Sequence, residues 1–126
     1  MKPHVSQAIV VLITAKDTDE ARRLAADLIN AGLASCIQIL PQVQSIYRWE
    51  GAVQHETEAL MFAKTLRERF QELEQYVRGL HSYQVPEILA LPVEAISSPY
   101  LKWLEEALES PPDVSQFSRR VNNRIP

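Results

Sequence analysis

The chain has 126 residues, 46% of them hydrophobic, with 13 basic and 16 acidic side chains and a formal charge of -3; that suffices for one domain with a buried core and no disulfide or structural-metal staple. The charges are spread along the chain, so neither nucleic acid nor an anionic membrane is an expected partner. The longest purely apolar run, Ala8 to Ile13, is far short of the ~18 residues that span a bilayer, no cleavage pattern follows Met1 to His4, and the single cysteine, Cys36, makes no internal disulfide, all of which points to the cytoplasm.

Ala8 to Thr14 is rich in β-branched residues and too short for a helix, so it reads as a buried strand. Asp17 with Glu20 forms a capping-box pattern, and Ala21, Leu24, Ala25 and Leu28 recur at helical spacing until Gly32 supplies the stop. From Ile37 the odd positions Ile37, Ile39, Val43, Tyr47 and Trp49 alternate with mostly polar even ones, which predicts one long strand with Pro41 at a bulge or an edge. Trp49-Glu50-Gly51-Ala52 is a turn, and Glu56 to Thr65 reads as the returning strand of a hairpin. Thr65 then caps a helix whose buried face is Leu66, Phe70, Leu73, Val77 and Leu80. After the loop His81 to Glu87, Ile88 to Ile96 reads as a strand, and Ser98-Pro99 opens a last helix with Leu101, Leu104 and Leu108 on one side.

This order is that of an α+β, ferredoxin-like split βαβ sandwich, an antiparallel sheet covered on one face by helices. The expected organisation is a single domain over 1–126, with a core of about 8–109 and a tail of 110–126, mobile or docked, that carries Arg119, Arg120 and Arg124. Ile37 to Glu50 is 14 residues and spans about 46 Å at ~3.3 Å per residue. A compact chain of this length is only ~36 Å across. The hairpin therefore overhangs its own domain and presents Tyr47 and Trp49, apolar surface that a partner subunit would cover.

The chemistry-bearing residues cluster in the stretch His81-Ser82-Tyr83-Gln84-Val85-Pro86-Glu87-Ile88. Pro86 holds the loop extended, giving its polar groups a stiff mount. His81 either meets the carbonyls at the end of the preceding helix or serves as a ligand. Cys36 is either a packing residue or, with His81, half of a site suited to copper or zinc, two ligands where a closed site needs about four. Glu56 and Glu58 share a strand face with Lys64, either as a solvated face or as a polar pocket with Tyr83 and Glu87 from the loop.

Five ordered blocks carry a resemblance: Ala34-Ser35-Cys36-Ile37-Gln38-Ile39-Leu40-Pro41; Ser45-Ile46-Tyr47-Arg48-Trp49-Glu50-Gly51; Glu56-Thr57-Glu58 with Lys64-Thr65; the loop just quoted; and Tyr100-Leu101-Lys102-Trp103-Leu104. Together they resemble the CutA divalent-ion tolerance family. The resemblance implies a homotrimer of PII-like architecture with an extended hairpin and a C-terminal helix, and a role in tolerance of copper or another divalent metal ion without a known reaction. Two positions depart from it: Ser82 stands where the family often has proline, which is expected to loosen the loop, and Ile13 where some members have a second cysteine. The leading expectation is a trimeric binding protein for metal ions or a small molecule at clefts between subunits, with Tyr47 and Trp49 in the interface. Two alternatives are an enzyme using Cys36 as nucleophile and His81 as base and a non-catalytic trimeric scaffold.

Overall fold

In the computed structural model, which describes residues 6–109, the period-two pattern of Ala8–Ala15 (β1) sends Ile9, Val11, Ile13 and Ala15 to one side of a sheet. Thr18–Asn30 (α1) follows, capped by the Asp17 carboxylate, which accepts the Glu20 N–H at 2.9 Å. Its end is a Schellman turn: Gly32, at φ 71°, donates to the Ile29 carbonyl and Leu33 donates to that of Leu28. Cys36–Trp49 (β2) and Ala52–Leu66 (β3) form the hairpin, a 3-10 turn over Arg67–Arg69 leads into Phe70–Leu80 (α2), and Ile88–Pro92 (β4) and Ser98–Glu109 (α3) complete the chain. The strand order is β2-β3-β1-β4 with every pairing antiparallel, which is the ferredoxin-like topology expected.

The odd residues of β1 lie opposite Ala59, Met61, Ala63 and Thr65 of β3, and α1 and α2 close over them through Ala21, Leu24, Leu28, Leu73 and Val77. That is the core. α3 lies across one end of the other sheet face, where Tyr100 and Leu104 meet Val10 and Lys64. Among the described residues nothing covers the rest of that face. Leu12 pairs with Leu89 on one side and Phe62 on the other, and Leu40, Leu89 and Leu91 are each more than 40% exposed. A contiguous apolar patch of this kind marks an interaction surface.

Several elements differ from their sequence-based bounds. β3 begins at Ala52, because the turn is tight: Glu50 and Gly51 both have positive φ, 50° and 82°, as a type I′ hairpin requires. β4 ends at Pro92, where an edge strand tolerates a proline, and one further bond, from the Val93 N–H to the Ala8 carbonyl at 3.2 Å, follows it. Thr65 does not cap a helix; it is fully buried on the helix-facing side of β3, and its hydroxyl donates to the Leu33 carbonyl at 2.8 Å. Ser97, rather than Ser98, caps α3, with its Oγ accepting the Tyr100 N–H. Leu80 is half exposed, one position past the buried stripe of α2. The tail 110–126 lies outside the described residues.

The long strand carries the bulge foreseen at Pro41. Pairing is Leu40 with Leu60 and then Val43 with Glu58, so two residues of β2 face one of β3. One extra residue exchanges the faces of everything beyond it. Ile37 and Ile39 point to the core, whereas Tyr47 and Trp49 share the opposite, open face with Glu56 and Glu58, which corrects the expectation of one uninterrupted stripe. β1 stops at Ala15 opposite Ala59, so among the described residues the arm from Val43 to Glu58 pairs only with itself, and it projects about 23 Å past the sheet.

Thr65→Val removes a buried donor while keeping its volume. It should cost about 1–2 kcal/mol, read as a lower denaturant midpoint; an unchanged midpoint would mean that the Leu33 carbonyl finds another donor.

Candidate functional site

The loop after α2 is held by one buried carboxylate. Glu20, in the first turn of α1 and 4% exposed, accepts the Ser82 N–H at 2.8 Å, the Ser82 hydroxyl at 2.9 Å and the Lys16 N–H at 3.0 Å. Burial pushes its carboxyl up, but the hydrogen bonds from Lys16 and Ser82 outweigh it and hold the group below its ordinary value. Ser82 therefore ties the loop down, contrary to the loosening expected of it. A proline there has no N–H to give. Sequence reading assigned Glu20 only to the helix cap; the i, i+3 spacing from Asp17 was visible, but the partner 62 residues away was not.

His81 fastens the same loop. Its Nε2 lies 2.6 Å from the Thr14 carbonyl, which can only accept, and its Nδ1 takes the Tyr83 N–H at 3.0 Å. Those two partners define a neutral ring protonated on Nε2. Both nitrogens are used, so no lone pair is left for an ion in this arrangement. The carbonyl it meets is that of β1 rather than the end of α2, whose Val77 carbonyl receives the His81 backbone N–H instead.

Cys36 lies elsewhere. It is level with Lys64 of β3 and so with Val10 of β1, four residues along the strand from Thr14, which puts at least ~13 Å between the thiol and the His81 ring in one chain. The two do not form a shared copper site or a nucleophile and base pair within a subunit. Lys64 also leaves the expected pocket. It does share the face of Glu58, but six residues away, about 20 Å, with its ammonium 5.8 Å from the Tyr100 ring centroid. Near it the Tyr100 hydroxyl is buried and is pushed up by that burial and then by the Cys36 thiol beside it.

Glu58, Tyr83 and Glu87 do come together. The open face of the projecting arm and the loop enclose a cleft of about 740 Å³ lined by Tyr47, Trp49, Glu56, Glu58, Tyr83 and Glu87, with Val85 and Pro86 at its edge. The Tyr83 hydroxyl donates to Glu58 Oε2 at 2.7 Å, and its ring leans on His81 with centroids 4.8 Å apart. Burial and then that carboxylate raise the Tyr83 phenol far above its ordinary value, so it stays a donor. Tyr47 donates to Glu56 at 2.9 Å. Glu87 is raised by burial and then by the charge of Glu58. Among the described residues lining the cleft there is no lysine, arginine or histidine.

Comparison with known proteins follows the same boundaries. The family model described as CutA1 divalent ion tolerance protein matches residues 9–107. The chain is 44% identical over 97 residues to the divalent-cation tolerance protein CutA of Thermus thermophilus, covering 77% of this chain and 94% of that protein. It is 37% identical over 100 residues to the chloroplastic protein CutA of Arabidopsis thaliana, covering 79% of this chain and 55% of the plant protein, so it spans about half the length of that relative. The solved structure of the periplasmic divalent cation tolerance protein CutA from Archaeoglobus fulgidus superposes with a TM-score of 0.78 at 36% identity, over 80% of this chain and 98% of that one.

Glu20→Gln replaces a charged acceptor by one that cannot serve the same donors, at a cost of about 1.5–3 kcal/mol. Because the folded pKa of Glu20 is lowered, its contribution is present above the ordinary carboxylate range near 4.5 and lost as pH falls through the folded value. The stability gap between native chain and variant should therefore narrow on acidification, and the Ser82 amide should exchange its hydrogen faster in the variant. A gap independent of pH, with Ser82 protection unchanged, would remove Glu20 as the loop's anchor.

Proposed function

Because the chain belongs to the CutA1 divalent ion tolerance family, we propose that it acts by reversibly binding cations in clefts at the subunit boundaries of a homotrimer. The observation that carries this reading is the sign of the cleft: Glu56, Glu58 and Glu87 line it, and no basic side chain among the described residues opposes them. A cation gains from such a site twice, through direct contact with the carboxylates and through relief of the repulsion between Glu58 and Glu87, which adds to burial in raising Glu87. The chemistry is binding, and copper is one of the ions to test. A shared copper site on Cys36 and His81 would need the His81 ring released and ligands from a second subunit, because the two residues stand apart in one chain.

The assembly rests on burial. The open sheet face of Leu12, Phe62, Leu89 and Leu91 needs a cover, and the projecting arm is long enough to reach a neighbour. Tyr47 and Trp49 then lie at the boundary, and the arm's face becomes one wall of a cleft shared by two subunits. The number three comes from the family resemblance. No helix among the described residues is long and apolar enough to cross a membrane.

Sedimentation should give a trimer at micromolar concentration. Leu89→Asp, which would bury a carboxylate among leucines, should dissociate it, and Trp49→Ala should weaken it, because burial of one large ring is worth several kcal/mol at ~25 cal/mol per Å². A monomeric native chain, or a trimer indifferent to both changes, would contradict the assembly. For the cleft, calorimetric titration with copper, zinc and magnesium salts should give binding that Glu58→Gln weakens. Metal binding unaffected by Glu58→Gln and by Glu87→Gln would put the ions elsewhere.

A further inference from the structure

The cleft has more room and more apolar wall than a bare metal ion uses. A volume of about 740 Å³ is that of a site for a polyatomic ligand. Among the described residues no three His, Cys, Asp or Glu side chains are grouped so that they could hold one metal ion. Instead the acids come from two walls. Glu56 and Glu58 stand two residues apart on one strand face, roughly 7 Å, and Glu87 comes from the loop.

Between and beside them are aromatic rings. Trp49, Tyr47 and Tyr83 line the cleft and Val85 and Pro86 add aliphatic surface. Aromatic faces attract organic cations, tryptophan most of all. Glu58 is only 8% exposed, and the hydrogen bond it receives comes from a neutral phenol, so its charge is buried without a cationic partner among the lining residues. Burying a carboxylate in this way is costly unless a positive group arrives.

We propose that this cleft takes an organic ammonium ion, a linear diamine or polyamine whose amino groups meet Glu58 and Glu56 or Glu87 while its methylenes lie along Trp49, Val85 and Pro86. The inference rests on the cation-binding reading above and names the ligand class for that same cleft. An ammonium group donates up to three hydrogen bonds. Glu56 and Glu58 can each accept one without giving up their tyrosines, because each has two oxygens and its tyrosine takes one of them.

Calorimetry on the full chain decides it, with 1,4-diaminobutane as the probe, 1,4-butanediol as the neutral control of similar length, and magnesium chloride as the inorganic cation. The diamine should bind, the diol should not, and Glu58→Gln should weaken the diamine at least about tenfold, the loss expected for one charged hydrogen bond. Glu87→Gln, on an exposed loop position, serves as the second variant should Glu58→Gln disturb folding, and it too should weaken the diamine. Equal binding of diol and diamine, or diamine binding indifferent to both variants, overturns the proposal. If only magnesium binds, and Glu58→Gln weakens it, the cleft still binds cations and the organic ligand is wrong. If neither cation responds to either variant, both readings fall.

Discussion

The loop that closes the candidate site depends on the carboxylate of Glu20. It sits at the start of α1, where its own backbone N–H is taken by the Asp17 cap, and it spends its oxygens on a backbone N–H, a second backbone N–H and a hydroxyl from two other parts of the chain. A buried carboxylate persists only when such donors outweigh the loss of water. Here they do, and the consequence is geometric. The end of β1, the start of α1 and the loop after α2 are locked into one unit, with the His81 ring filling the space between Thr14 and Tyr83. Tyr83 is thereby delivered to Glu58 on a different strand, at 2.7 Å.

The second wall of the cleft has a different origin. β2 and β3 outrun β1, so among the described residues their outer half pairs with no third strand. On a long arm the side-chain faces would simply continue, and Tyr47 and Trp49 would fall on the core side with Ile37 and Ile39. The bulge at Pro41 prevents that. By placing two residues opposite one, it puts both rings on the face that carries Glu56 and Glu58. The cleft is therefore the product of two devices far apart in sequence, a carboxylate clamp that fixes a loop and a one-residue insertion that turns a strand over.

Much of this was legible in the sequence because it is local. Helix α1 could be read from its cap, its apolar spacing and Gly32, and the hairpin from period-two alternation and the Glu50-Gly51 turn. The overhang followed from length alone. What could not be read is what joins distant segments. Glu20 to Ser82, Thr65 to Leu33 and Tyr83 to Glu58 are bonds across 62, 32 and 25 positions, and nothing in local pattern marks them. Thr65 illustrates the failure: a threonine three residues before Glu68 matches a cap, yet its strand parity buries it and a carbonyl from another turn claims its hydroxyl. Lys64 fails in the opposite way. Parity placed it correctly on the face of Glu58, but parity carries no distance, and six residues of strand separate the two. Cys36 and His81 looked like a pair because they are chemically matched, while the register of β2 on β3 puts them toward different ends of the sheet.

The central claim is that the Glu20-held loop and the turned-over arm form the cation site. Backbone amide shift mapping tests it most directly, with the full chain titrated separately with magnesium chloride and 1,4-diaminobutane. For at least one of the two cations the account predicts shifts concentrated in residues 45–58 and 82–87, with the Cys36, Lys64 and Tyr100 end of the sheet unmoved. Shifts centred on that far end, or no localised shifts with either cation, would contradict it.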